Sequence, residues 1–394
     1  MRILAVDVGT GTQDILLFDS EQPVENALQL IMPSPTQIAA GRIRRATAAR
    51  RPVLLTGVIA GGGPCHWALE DHLRAGLPAY ATPQAATTFD DDLDRVREMG
   101  VTVVSPDDTG SRDADPIPLR DLDLDAIRSA LASFDVDGRF DGLALGCLDH
   151  GASPPGYSDR LFRFQHLKRV VETWNDLRAF AFLPPELPEY LTRARALVAC
   201  ADPGVPTVFL DTGPAAALGA LQDPAVGQRD EQIVLNLGNM HALAFHLRGT
   251  RIISLYEHHT GEVTAGQIED FTERLMRGEL PHEDVFDSKG HGVYYAKSET
   301  GVGRQERPIV AVTGPQRGKL RGSRLGPYFA VPHGDMMVSG CFGLLWAFAE
   351  KHAEWSEEIL RALGIGELAV LWPLSTNPQP KRSSWGVLGQ TDSV

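Results

Sequence analysis

The apolar and polar positions of this chain fall into runs that repeat. Ile3 to Val8 and Ile15 to Phe18 are apolar apart from Asp7, and Gly9, Thr10, Gly11 and Thr12 lie between them. Glycine reaches positive φ without steric cost, so the pattern predicts strand, tight turn, strand from Ile3 to Asp19. Ala27 to Met32 adds a third strand. Pro35 to Arg51 has helical spacing, with Arg42, Arg44, Arg45, Arg50 and Arg51 on its wet side. Val53 to Ala60 is an unbroken apolar run of buried-strand type that ends in Gly61-Gly62-Gly63-Pro64, ahead of a helical stretch from Cys65 to Arg74. Val101 to Val104 is the clearest strand between residues 78 and 135, and the Asp-rich segment from Asp107 to Asp115 reads as solvated loop. Asp141 to Leu148 is a strand that stops at Asp149, His150 and Gly151. Beyond Pro154-Pro155-Gly156, Ser158 or Asp159 caps a helix with Leu161, Phe164, Leu167 and Val171 at helical spacing. From that helix Arg160 and Arg163 reach sideways, to surface partners or to an anion.

Pro206 to Leu210 is a strand that feeds a helix made almost wholly of Ala, Gly and Leu, through Leu221. Small residues let two helices approach closely, so this one is expected to cross another helix. A polar break at Gln228 to Glu231 places the domain boundary, giving domains 1–227 and 228–394. The second part restarts as the first began. Ile233 to Leu247 is again strand, glycine turn, strand, and Arg251 to Leu255 supplies a third strand. Gly266 to Arg277 follows as helix, then Pro308 to Pro315 as a strand entering a glycine turn, and Tyr328 to Pro332 as another strand. Ser339 to Phe348 is a second helix with small residues on one side. The pattern is that of an α/β chain built by internal duplication, and duplications place equivalent turns across a shared pseudo-twofold cleft.

Composition narrows the class. At 394 residues the chain has room for two or three domains, and 43% apolar with 22% charged residues argues against extensive disorder. A net charge of −14 excludes a phosphate-backbone-binding surface, which needs clustered Lys and Arg, so no nucleic acid partner is expected. Cys65, Cys147, Cys200 and Cys341 are scattered singly and read as small buried hydrophobes. The first residues enter a strand directly and no run of 18 apolar residues follows, so a soluble, cytoplasmic chain with no membrane partner is expected.

Three places carry candidate chemistry. Asp7 lies inside an apolar run, where a carboxylate needs a compensating partner such as a cation. Thr10, Thr12 and the glycine N–H groups of the adjoining turn make a concave donor surface suited to phosphate oxygens; the alternative is a tight hairpin in which Asp7 caps a neighbour. Asp149 and His150 follow a strand's carboxyl end, where functional groups of α/β sheets collect, although a turn aspartate beside a surface histidine has the same sequence. The Gly61–Gly63 loop lacks the Lys-Ser/Thr of a P-loop and reads as part of a substrate cleft.

In order and role these residues resemble the actin/Hsp70/sugar-kinase superfamily. The resemblance implies two ribonuclease-H-like, actin-like ATPase domains with ATP and Mg²⁺ between them. Asp7-Val8-Gly9-Thr10-Gly11-Thr12 is similar to its first phosphate motif, Asn236-Leu237-Gly238-Asn239 to its second, and Val312-Thr313-Gly314-Pro315 to its adenosine loop. The two small-residue helices resemble its interdomain connecting helices. On this basis Asp7 would hold the metal, and Gly9, Thr10, Gly11, Thr12, Asn236, Gly238, Asn239, His241, Thr313 and Gly314 would contact nucleotide. Asp149 would act as general base or water-positioning group, assisted by His150 or His241. The second motif ordinarily begins with Asp, and here Asn236 replaces it. More narrowly, the DHG, SDRxFRF, TGPQR and HGDMM…GCFGLL stretches resemble a prokaryotic family labelled pyruvate formate-lyase activating enzyme. A radical activase of that name needs three cysteines on one loop for an iron–sulfur cluster, and this chain has none so arranged. The resemblance implies a phosphotransferase or ATPase acting on a small molecule, with a homodimer as an open assembly. A nucleotide or metabolite sensor without turnover is the alternative. A metal hydrolase built on Asp149, His150, His241, His258 and His259 is a third reading, against which neighbouring strand residues such as His258 and His259 point to opposite faces.

Overall fold

Two six-stranded sheets carry most of the chain, and the computed structural model describes residues 1–297 and 307–366. β1 (Arg2–Val8), β2 (Thr12–Asp19) and β3 (Leu28–Pro33) form an antiparallel meander. The chain then builds a separate parallel sheet from β4 (Val53–Gly57), β5 (Ala79–Ala81), β6 (Val101–Val103) and β7 (Asp115–Leu119), in the order β6-β5-β4-β7. It returns as β8 (Gly142–Cys147), β9 (Ala181–Phe182) and β10 (Thr207–Asp211), which completes a first sheet of order β3-β2-β1-β8-β10-β9. β11 (Gln232–Leu237), β12 (His241–Arg248) and β13 (Arg251–His259) repeat the meander. β14 (Gly292–Tyr295), β15 (Ile309–Thr313) and β16 (Tyr328–Phe329) complete the second sheet as β14-β13-β12-β11-β15-β16. Without the edge strands β9 and β14, both sheets consist of a three-stranded meander whose first strand is joined by two parallel strands. That is the ribonuclease-H-like order, present twice.

The central strands are unbroken apolar runs because both of their faces are covered. In β1, Ile3 and Ala5 face an inner core, while Leu4, Val6 and Val8 face an outer one. The inner core continues without interruption into Val234, Leu243 and Phe245 of the second sheet. Between the sheets lie the helices Thr212–Ala220 and Ser339–Lys351, which cross in direct contact. A Cβ built on Gly219 would overlap the Ser339 carbonyl oxygen, and one on Gly343 the Ala215 carbonyl oxygen. The crossing expected from the small residues is therefore backbone against backbone. Ser339–Lys351, although late in the chain, packs on β1, β8 and β10 of the first sheet.

β7 begins at Asp115, where the Asp-rich segment that reads as loop ends. Pro116 and Pro118 point outward and exposed, Ile117 and Leu119 are buried, and the strand occupies a sheet edge, where a missing N–H is tolerated. Among the described residues, no helix is long and apolar enough to cross a membrane.

Candidate functional site

The parallel strands β1, β8, β10, β11 and β15 all end on one side, and an open cleft of about 810 Å³ lies there between the two halves. Its walls come in matched pairs. After β1 the chain turns through Gly9 to Thr12, with the Gly9 N–H donating to the Thr12 carbonyl at 2.9 Å. After β11 it turns through Gly238 to His241, and the Gly238 N–H donates to the His241 carbonyl at 2.9 Å. The two turns meet: a Cβ on Gly11 would collide with the Asn239 side chain. Asp7 precedes the first turn by two residues and Asn236 precedes the second by two, and both are buried where they pair with a parallel strand. Thr313, Gly314 and Pro315 form one rim of the cleft, and the first turns of the two crossing helices form its floor.

Asp7 Oδ1 accepts a hydrogen bond from the Thr212 hydroxyl at 2.7 Å, and its other oxygen lies where a side chain on Gly340 would stand. Burial raises its carboxyl to about 6, against the opposing pull of Thr212. Directly across the hairpin is Asp14, which also lines the cleft. Burial, and then the charge of Asp7, raise Asp14 to about 7, and its Oδ1 is buried without a hydrogen-bond partner. A crowded carboxylate pair with an unsatisfied oxygen fits a cation bound from the cleft side. The sequence reading contains Asp14 only as a member of a strand; its register opposite Asp7 is the signal that singles it out.

Asp149 is placed otherwise than expected of a general base. Its carboxylate accepts the N–H of Gly151 at 2.8 Å and of Ala194 at 2.9 Å, and its carbonyl takes Arg163 at 3.2 Å. It is buried and is not among the cleft-lining residues; burial raises its carboxyl. It ties the loop after β8 to the helix Thr192–Ala199. Arg163 is no surface group either. Fully buried, it binds Asp211 with two nitrogens and places its Nε 3.2 Å from Glu257 Oε2, across the two halves. Burial alone would raise Glu257, but Arg163 holds that carboxyl well below its ordinary range.

His150 and His241 meet, Nε2 to Nε2 at 3.2 Å, at the edge of the cleft that His241 lines. His259 and His291 join them. Burial lowers His150 well below the ordinary imidazole value, lowers His259, and lowers His291 to about 3, so these rings are neutral at pH 7. His258 points the other way, to Ser288 Oγ at 3.2 Å, as strand alternation requires. The Gly61–Gly63 loop is fixed by Thr36, whose hydroxyl donates to the Gly62 carbonyl at 2.6 Å, and it supplies no cleft residue.

Residues 60–319 match a family model described as "Putative pyruvate format-lyase activating enzyme (DUF1786)". No curated protein matches the sequence. Among solved structures, the ethanolamine utilization protein EutJ of Carboxydothermus hydrogenoformans is 10% identical over 88% of this chain and 89% of its own, with a TM-score of 0.27. A Ppx/GppA family member of Aquifex aeolicus is 9% identical over 94% and 90%, with a TM-score of 0.27. A ROK family transcriptional regulator, a homologue of the E. coli MLC protein, is 10% identical over 94% and 80%, again at 0.27. The strand order, rather than these loose superpositions, defines the fold.

Proposed function

The chain belongs to the family so described, which its model matches over residues 60–319, and we propose that its cleft holds ATP with Mg²⁺ for phosphoryl transfer to a small molecule or to water. The observation that carries this reading is the pair of matched turns, Gly9–Thr12 and Gly238–His241, facing each other from opposite halves. Turn N–H groups and the Thr10 and Thr12 hydroxyls bind phosphate oxygens from one side, and Gly238 and Asn239 bind them from the other. Asn236 and His241 adjoin that second contact, and Thr313 and Gly314 flank the nucleoside. Asp7 holds the cation. When bound, ATP supplies the phosphoryl group and Mg²⁺ offsets the charge on its phosphates.

Asp14 is the better proton acceptor than Asp149. It reaches the cleft with a free oxygen and a carboxyl near 7, whereas both oxygens of Asp149 are occupied by main-chain donors. Asn236 favours a second reading, a sensor that binds nucleotide without turnover, because an amide holds a hydrated Mg²⁺ less strongly than a carboxylate does. The separate sheets suggest domains 1–227 and 228–394, with the helix Ser339–Lys351 lent back to the first.

A thermal-shift panel of nucleotides with and without Mg²⁺ tests the reading. A ligand at about a hundred times its dissociation constant stabilises the fold by roughly 2.7 kcal/mol, a clear rise in midpoint. No shift with any nucleotide overturns both readings. Phosphate release that Asp14→Asn abolishes, with binding kept, supports the enzyme over the sensor.

A further inference from the structure

A second site stands beside the cleft, and the sheet register assembles most of it. His241 opens β12 and His259 closes β13, and the two are direct cross-strand partners. His291 immediately precedes β14, which pairs with β13 at Glu257 and Gly292, so it arrives at the same end of the sheet. The fourth imidazole comes from the other half of the molecule: His150 lies on the loop after β8. One ring nitrogen from each residue lies within 4.8 Å of the other three. Neighbouring ring centroids are 4.6 to 5.4 Å apart, with planes steeply inclined, so the rings converge on a point rather than stack.

The hydrogen-bond partners orient these rings. His259 Nδ1 lies 2.9 Å from the Lys289 carbonyl, which can only accept, so Nδ1 carries the proton and Nε2 keeps its lone pair. His241 Nδ1 is 3.2 Å from Glu257 Oε1, and its Nε2 faces His150 Nε2. An imidazole backed by a carboxylate or a carbonyl is the usual outer arrangement of a metal-bound histidine. His291 supplies an independent sign. It is fully buried, and neither ring nitrogen has a hydrogen-bond partner. Leaving such a polar group dry and unpaired costs free energy that a bound cation would offset.

We propose that His150, His241, His259 and His291 bind one divalent late-transition-metal ion, zinc by preference, in a closed four-nitrogen site. Zinc–imidazole bonds of about 2.0–2.1 Å in a tetrahedron put neighbouring nitrogens about 3.3–3.4 Å apart. The His150–His241 separation of 3.2 Å is close to that edge, and the remaining pairs, all within 4.8 Å, have to close by about 1.5 Å at most. Four imidazole nitrogens with no carboxylate among them suit zinc, copper or nickel and do not suit Mg²⁺ or Ca²⁺. The site is thus chemically distinct from the carboxylate pair at Asp7 and Asp14. Four protein ligands leave no open position, which makes the ion a clasp rather than a catalyst. It joins the loop after β8 of the first half to β12, β13 and the residue before β14 of the second, and one of its ligands, His241, is also a wall of the cleft.

The full chain, stripped by a chelator and titrated with Zn²⁺ and separately with Co²⁺, provides the test. The expected result is one ion per chain, a tetrahedral visible spectrum for the Co²⁺ form, and zinc X-ray absorption with nitrogen neighbours at about 2.0 Å and no sulfur. His291→Asn and His259→Asn should each weaken zinc by at least about tenfold. Asp7→Asn should leave zinc binding unchanged while removing the Mg²⁺ response of the nucleotide site, so the two sites fail separately. Less than stoichiometric zinc in the wild-type chain, a sulfur-containing shell, or tight binding that survives both histidine variants overturns the proposal. The two wild-type spectra decide the matter even where a variant does not fold.

Discussion

Asp7 and Asn236 occupy the same place in two copies of one motif, and the exchange of one oxygen for an amide nitrogen separates their chemistry. A carboxylate whose ordinary value is near 4 but which is raised to about 6 by burial is destabilising to the empty protein. The cation proposed for the cleft would account for its place in an apolar strand. Asp7→Asn is therefore expected to leave the empty protein at least as stable as wild type, since Asn still accepts from Thr212. The same change should weaken Mg²⁺-dependent nucleotide binding by at least about tenfold, or about 1.4 kcal/mol. Thermal midpoints with and without Mg²⁺–nucleotide check both halves of that statement. A different buried group sets an acid limit. His166 lies among Phe180, Phe182 and Tyr190, and burial followed by the charge of Arg163 lowers it to about 3. The unfolded chain takes up a proton near pH 6.5 that the folded chain refuses, so the contribution is present above that pH and is lost as pH falls. Between about pH 7.5 and 5 the loss is about 2 kcal/mol. His166→Phe should flatten this limb in urea unfolding measured across the range.

At the scale of elements, the crossing of Thr212–Ala220 with Ser339–Lys351 sets the spacing of the two sheets. The obstruction at Gly343 is the Ala215 carbonyl, part of a helix backbone that moves only with its sheet. Gly343→Ala is expected to cost roughly 3 kcal/mol or more in denaturant unfolding, at the upper end of overpacking penalties, and a change below about 1 kcal/mol would show that the helices separate easily. This crossing was legible in the sequence because runs of Ala and Gly have few other uses in a helix. The two hairpins were legible too, through glycine turns set between apolar runs. β7 was hidden by Pro116 and Pro118, residues that argue against a strand everywhere except at an edge. Arg163 was half visible. It lies in line with Leu167, Val170 and Val171 on the buried stripe of its helix, and a charge on an apolar stripe signals a buried ion pair. The histidine cluster was legible only as residue types: His150, His241 and His259 were candidate ligands beside Asp149 and His258, while His291 had no signal. Its members are brought together only by the register of β12 with β13, the approach of β14, and the docking of the first half.

For the whole molecule, the ribonuclease-H-like order used twice puts equivalent turns on opposite walls of one cleft, so the proposed nucleotide would be gripped from both halves. The halves already share a continuous inner core, and the buried Arg163 links Asp211 of one to Glu257 of the other. Large separation of the halves would expose that core and strand the Glu257 carboxylate without its cation, a cost of several kcal/mol. Closure is consequently confined to the cleft rim, where Gly11 meets Asn239 and the two turns contribute few buried contacts. Amide hydrogen exchange provides the corresponding measurement, because local opening of low free energy dominates exchange at such rims. Saturating Mg²⁺–nucleotide should slow exchange at Gly9 to Thr12 and at Gly238 to His241 together, and at the first turns of both crossing helices. The amides of β4 to β7, in the separate parallel sheet, should not change. Protection limited to one of the two turns would mean that the duplicated motif binds from one side only, and the second turn would then be a structural copy without a ligand contact.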